Sequence, residues 1–135
     1  MRKYGKDNDL EKLTQMFETM TDCTLTLSVD VFDVAMRIGK RNLGVEFKNA
    51  LKNKYQGYKY VRFTRNQHRN QKALADIWNL IAILVVNDEG KLLVCEKYFD
   101  IVEQHKTERG QKSPVILLDE LKLIPIEKWL KSFST

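Results

Sequence analysis

Apolar and polar positions along the chain change period several times, and each change predicts an element. From Asp9 to Met20, residues Leu10, Leu13, Phe17 and Met20 recur at helical spacing behind Asp7 or Asp9 as caps, which predicts an amphipathic first helix. From Leu25 the pattern shortens to β-rich runs at Leu25–Val29, Val31–Ile38 and Leu43–Lys48. The last two are separated by Gly39-Lys40-Arg41-Asn42, which predicts a hairpin. A loop over Asn53–Gly57 precedes a short strand at Tyr58–Phe63. Thr64-Arg65-Asn66-Gln67 then fits a capping box that starts a second helix burying Leu74, Ile77 and Trp78. Leu80–Val86 is continuously apolar, as a central strand covered on both faces would be. Asn87-Asp88-Glu89-Gly90 turns into a strand over Lys91–Phe99, and Glu103–Ser113 is polar and expected to be mobile. Pro114–Leu118 gives a late strand, and a terminal helix over Ile126–Phe133 follows Pro125. The order αβββαββ(β)α predicts one α/β domain over residues 1–135, a mixed central sheet flanked by helices.

The 135 residues, 43% of them hydrophobic, suit a single packed core. The polar start and the lack of an apolar run of about 18 residues argue against a signal peptide or a membrane helix, so a soluble cytoplasmic protein is expected. Cys23 and Cys95 stand apart, without metal-ligand spacing, in apolar segments. They read as buried thiols, with a disulfide between them left open. Neither His68 nor His105 stands in a pattern suited to zinc or to a Ser/His/Asp centre.

Charge is distributed unevenly. Between Arg37 and Lys72 stand eleven Lys and Arg residues and one acid, Glu46, so this window carries +10 and leaves −5 for the rest of a chain of net charge +5. Tyr55, Tyr58 and Tyr60 are interleaved with these bases, an arrangement suited to phosphate contact and base stacking. Arg37, Lys40, Arg41, Lys52, Lys54, Arg62, Arg65 and Arg69 are the candidate nucleic-acid contacts, with DNA the expected partner.

Three polar residues interrupt the apolar hairpin: Asp33 in its first strand, and Glu46 and Lys48 in its second. Positions i and i+2 of a strand share a face, so Glu46 and Lys48 project together while Val45 and Phe47 enter the other side. A neighbouring strand brings Asp33 alongside. Two close carboxylates repel unless a cation lies between them, and hard oxygen ligands favour Mg²⁺, with Mn²⁺ as substitute. Such a metal and the Lys48 ammonium are suited to phosphodiester hydrolysis.

These residues resemble the PD-(D/E)xK nuclease superfamily, in which Asp and Glu-x-Lys lie on a β-hairpin of an αβββαβ restriction-endonuclease-like core. The resemblance spans roughly Asp9–Val86 and lacks the Pro before Asp33. It implies that Asp33, Glu46 and the Phe47 carbonyl hold the metal, and that Lys48 serves the attacking water. The pattern is most similar to small archaeal and viral Holliday-junction resolvases. Their first-helix Glu matches Glu11 as a metal ligand, their Gln after the signature matches Gln67, and their Ser before the Asp corresponds to Ser28. Glu11 has an alternative as an acid favouring a helix N-terminus, and Gln67 as a partner of Thr64 in the capping box. The resemblance also implies a homodimer and no small-molecule cofactor. A second Glu-x-Lys, Glu120-Leu121-Lys122, lies in an acidic stretch without a preceding Asp-bearing hairpin strand and ranks below the first.

The expected function is therefore metal-dependent DNA endonuclease. The competing readings are a nucleic-acid-binding module or partner subunit that keeps the fold without the chemistry and, last, a protein-binding effector.

Overall fold

The computed structural model describes residues 23–27, 31–38, 40–64, 67–108, 110 and 113–133. The predicted first helix with Glu11, together with Ser28 and Arg65, lies outside the described residues. Among the described residues there are nine strands: β1 (Cys23–Leu27), β2 (Val34–Ile38), β3 (Arg41–Asn49), β4 (Leu51–Lys52), β5 (Lys59–Arg62), β6 (Ile81–Asp88), β7 (Lys91–Cys95), β8 (Val115–Leu117) and β9 (Ile124–Pro125). Three helices accompany them, α1 (Gln67–Trp78), α2 (Tyr98–Glu108) and α3 (Ile126–Phe133), with a 3-10 turn at Leu118–Glu120. The domain is mixed α/β, as its alternating periods predict.

The main sheet runs β1-β2-β3-β6-β7-β9, and only β3 and β6 pair in parallel. These two are central, and their apolar runs Leu43–Val45 and Ile83–Val86 are buried throughout, as a strand covered on both faces requires. One face packs Val34, Met36, Val45, Phe47, Ile83 and Val85 against Ile126, Trp129 and Leu130 of α3. The opposite face, under α1 and α2, collects Leu84, Val86, Cys95, Tyr98 and Val102, together with Phe63 and with Val61 and Ile116 of a small second sheet, β4-β5-β8. Burial raises the Cys95 thiol above its usual pKa, as expected of an inert core thiol.

Several expectations are corrected. The strand expected over Val31–Ile38 starts only at Val34, because Phe32 turns inward onto Gly44. A Cβ built there would lie 2.8 Å from the Phe32 ring, so only glycine permits the approach. The strand expected to reach Phe99 ends at Cys95, and the first part of the polar stretch expected to be mobile, Glu103–Glu108, belongs to α2. Tyr98, Val102 and His105 form a buried stripe at helical spacing, and His105 meets Glu120 at 3.0 Å, so its polarity is satisfied inside. That contact, with Glu120 also accepting from the Leu117 N–H, gives the second Glu-x-Lys a structural occupation.

Helix α1 buries His68, Gln71 and Ala75, not Leu74, Ile77 and Trp78; Leu74 is half-buried, while Ile77 and Trp78 are 76% and 64% exposed. The helix ends at Asn79 in the left-handed region, and Leu80 N–H closes on Ala75 O at 2.9 Å, a Schellman-type stop that feeds directly into β6. No helix among the described residues is long and apolar enough to cross a membrane.

Candidate active site

Antiparallel pairing of β2 with β3 ends at Val34↔Val45. Beyond it β3 has no strand partner on that side among the described residues, and the Asp33 carboxylate takes the place of a backbone partner: Phe47 N–H donates to Asp33 Oδ2 at 2.8 Å. The N–H and C=O of one strand residue project to the same side of an antiparallel ladder, so the Phe47 carbonyl lies on the Asp33 side of β3. Phe32 packed on Gly44 fixes the bend that carries Asp33, and Gln71 Nε2 holds Val31 O at 3.1 Å.

Glu46, only 1% exposed, points to the α1 face. Each of its oxygens accepts from a glutamine amide: Oε1 from Gln67 Nε2 at 2.9 Å and Oε2 from Gln71 Nε2 at 2.6 Å. Gln67 Oε1 accepts from Lys48 Nζ at 2.9 Å, and Lys48 Nζ lies 3.5 Å from Glu46 Oε1 and 4.8 Å from the centre of the Phe63 ring. Gln71 Oε1 accepts from the Tyr98 hydroxyl at 2.7 Å. Only one orientation of each amide suits these partners. Turning Gln67 over would set its oxygen against a carboxylate and its NH₂ against an ammonium, and turning Gln71 over would set its oxygen against Glu46 and Val31 O.

Burial, and then the negative charges of Glu46 and Asp33, push the Tyr98 phenol well above its ordinary pKa. It therefore stays protonated and keeps donating to Gln71. Its ring stacks on Phe63, 5.8 Å between centres, which closes the apolar side of the site.

Asp33, Glu46, Lys48 and Gln67 are thus brought together at the C-terminal end of β3. Both polar atoms of Gln67 are turned toward Glu46 and Lys48, so its side chain serves this cluster and not a capping box. The helix start is instead marked by a contact from Gln67 N to Thr64 O at 3.3 Å. Gln71 and Tyr98 were not foreseen. A glutamine in mid-helix reads as surface, and the available signal was the i, i+4 spacing of Gln67 and Gln71 on one stripe.

The candidate phosphate contacts divide into two groups. Arg37, Lys40 and Arg41 are exposed at the β2–β3 turn, whereas Lys52, Lys54, Arg62 and Arg69 are exposed on elements that follow Lys48. Arg41 and Lys48 are seven residues apart on one strand, about 23 Å. Lys59, within the basic window, pairs with Asp88 at 2.7 Å.

Among the described residues no three His, Cys, Asp or Glu side chains converge as a metal-binding group. The set available beside Lys48 is two carboxylates and a backbone carbonyl, all hard oxygen donors. Two negative charges against one ammonium leave this cluster one charge negative, and a carboxylate oxygen that accepts one hydrogen bond keeps a lone pair. The residues fit a small divalent cation in donor chemistry and in charge. Compared with protein-family models and with curated proteins, the chain matches none.

Proposed function

We propose that the protein is a Mg²⁺-dependent endonuclease of the PD-(D/E)xK type acting on DNA. The observation that carries this reading is the assembly at the end of β3, with Asp33 fixed by the Phe47 N–H, Glu46 fixed on both oxygens and Lys48 held beside them through Gln67. Asp33, Glu46 and the Phe47 carbonyl would hold the cation, which when bound supplies Lewis-acid polarisation of a phosphoryl oxygen and acidifies a coordinated water.

The other roles belong to the chain's own groups. Lys48 places a positive charge where negative charge develops on the phosphate, and its bond to Gln67 restrains the flexible side chain. Gln71 and Tyr98 fix the Glu46 carboxylate from below, so its orientation does not depend on solvent. Phe63 and Tyr98 keep water from the apolar side. Lys52, Lys54, Arg62 and Arg69 lie on the elements around this end of β3 and would meet phosphates. One centre per chain cuts one strand, so a homodimer is part of the proposal for duplex substrates.

One observation favours a second reading, a nucleic-acid-binding module without catalysis. Glu46 is almost wholly enclosed, and each of its oxygens already accepts an amide, as in a purely structural polar network. Cleavage of labelled single-stranded, duplex and four-way-junction DNA in Mg²⁺ or EDTA separates the two readings. The nuclease reading expects metal-dependent cutting that falls by about 100-fold or more in Glu46→Gln and in Lys48→Met. Salt-sensitive binding with no cutting, indifferent to Mg²⁺, would replace it with the binding module.

A further inference from the structure

Beyond Asn49 the chain leaves the main sheet and forms the β4–β5 hairpin, in which Leu51 pairs with Tyr60 and Lys52 with Lys59. Its turn is closed by two backbone bonds, Asn53 N–H to Tyr58 O at 2.9 Å and Gly57 N–H to Asn53 O at 3.0 Å, with Gly57 in the left-handed region at φ 74°. The Asn53 side chain completes the fastening. Its Oδ1 accepts from Tyr55 N–H at 2.9 Å and Gln56 N–H at 2.8 Å, and its Nδ2 donates to the Tyr58 hydroxyl at 3.1 Å. The backbone that carries Tyr55 is therefore held from several directions, yet the Tyr55 side chain stands in solvent, 95% exposed.

The sequence around the turn is cationic. No Asp or Glu occurs between Glu46 and Asp76 in the sequence, and Tyr55 is flanked by exposed Lys52 and Lys54. Lys59, at the base of the hairpin, pairs with the acids of the neighbouring turn, Asp88 at 2.7 Å and Glu89 at 3.8 Å. An aromatic ring carried on a fixed backbone between lysines suits a planar, electron-rich group attached to a phosphate backbone. A nucleobase in a duplex has both faces covered by its neighbours, so a ring of this kind selects a base that is not stacked in a helix.

We propose that the β4–β5 turn is a stacking platform, on which Tyr55 takes an unpaired nucleobase while Lys52 and Lys54 contact the flanking phosphates. The proposal rests on the nucleic-acid reading above and narrows it to substrates with unpaired nucleotides near the cut, such as a single strand, a flap or an open junction. The hairpin also joins the turn to the active site. Phe63, just past β5, lies under the Lys48 ammonium, and Tyr58 is five residues back along extended chain, about 17 Å. A strand whose reacting phosphate lies at Lys48 would reach the turn within a few nucleotides.

The test is fluorescence anisotropy with a labelled oligothymidine single strand and a blunt duplex, in EDTA so that no cutting occurs. The full chain is compared with Tyr55→Ala and Tyr55→Phe, and the exposure of the ring makes both variants compatible with folding. Tyr55→Ala is expected to weaken single-strand binding about tenfold and to leave duplex binding within about twofold, while Tyr55→Phe binds like the parent. Equal losses on both DNAs, no loss on either, or a Phe variant as weak as the Ala variant would overturn the platform. Absence of any DNA binding by the parent chain would overturn the platform and the nucleic-acid reading together. Absence of Mg²⁺-dependent cutting alongside a Tyr55-dependent single-strand preference would overturn only the nuclease.

Discussion

Strand β3 shows opposite chemistry on its two faces. Toward α3, Leu43, Val45 and Phe47 enter a layer of aliphatic and aromatic side chains. The Trp129 indole N–H, which would be costly to bury alone, reaches Glu96 at 2.7 Å. Toward α1 the same strand presents Gly44, Glu46 and Lys48, and the helix answers with Gln67 and Gln71. The first face contributes stability through area removed from water, about 1.5–3 kcal/mol for each large side chain fully buried. The second gains little on balance, because each of its hydrogen bonds replaces one made to water; what it secures is the orientation of Glu46 and Lys48. A strand with one stabilising face and one polar, constrained face is the arrangement expected where a fold supports chemistry.

Substitutions sharpen this contrast. Phe47→Ala on the apolar face should cost about 3–5 kcal/mol of unfolding free energy in urea, the largest effect expected here, since the ring is fully buried under α3. Gly44→Ala should cost about 1–3 kcal/mol by forcing the Phe32 ring away, and because that ring anchors the bend before Asp33, the proposed cleavage should fall with stability. On the polar face, Gln71→Leu should cost about 1–3 kcal/mol by removing partners from Glu46, Val31 O and the Tyr98 hydroxyl. Tyr98→Phe, which removes a single bond, should cost less. A Gln71→Leu protein as stable as the parent would break the claim that this face is a satisfied network.

The pH dependence should be smaller. Burial, reinforced by Lys106 and Lys72 and opposed by Glu103, lowers the His68 pKa below its ordinary 6.5, and its Nδ1 has no hydrogen-bond partner among the described residues. The folded state thus binds a proton less readily than the unfolded chain. The contribution of neutral His68 is complete above about pH 6.5 and declines as pH falls below it. Melting temperatures of the parent and His68→Gln between pH 7.5 and 5.5 should therefore differ in slope, the parent losing more on acidification. Smallest of all, Ile77→Ser on the exposed side of α1 should change stability by no more than about 0.5 kcal/mol.

Apolar alternation made β3 legible and a continuous apolar run β6, and the Ile126–Phe133 helix could be placed from its preceding proline. Where polar side chains are buried, the same rules misplace residues. Gln71 and His68 occupy the inner face of α1 because a carboxylate and an aromatic ring meet them there, 2.6 Å from Glu46 Oε2 and 5.0 Å from the Phe99 ring centre, and neither partner is adjacent in sequence. Helix α2 was hidden for a related reason. His105 is buried by pairing with Glu120, fifteen residues on, so a stretch that is polar residue by residue is amphipathic in space. Asp33, Glu46 and Lys48 stood out as polar interruptions of an apolar hairpin, whereas Tyr98 lay beyond any local pattern, since its role depends on α1 and α2 packing on the same side of the sheet.

The most direct measurement is calorimetric titration of the metal-free protein with Mg²⁺ and Mn²⁺, alongside Asp33→Asn and Glu46→Gln. A single saturable site per chain, weakened at least about tenfold in each variant, is the result expected if the polar face of β3 holds a cation between these carboxylates. No binding to the parent, or binding equally strong in both variants, would contradict it.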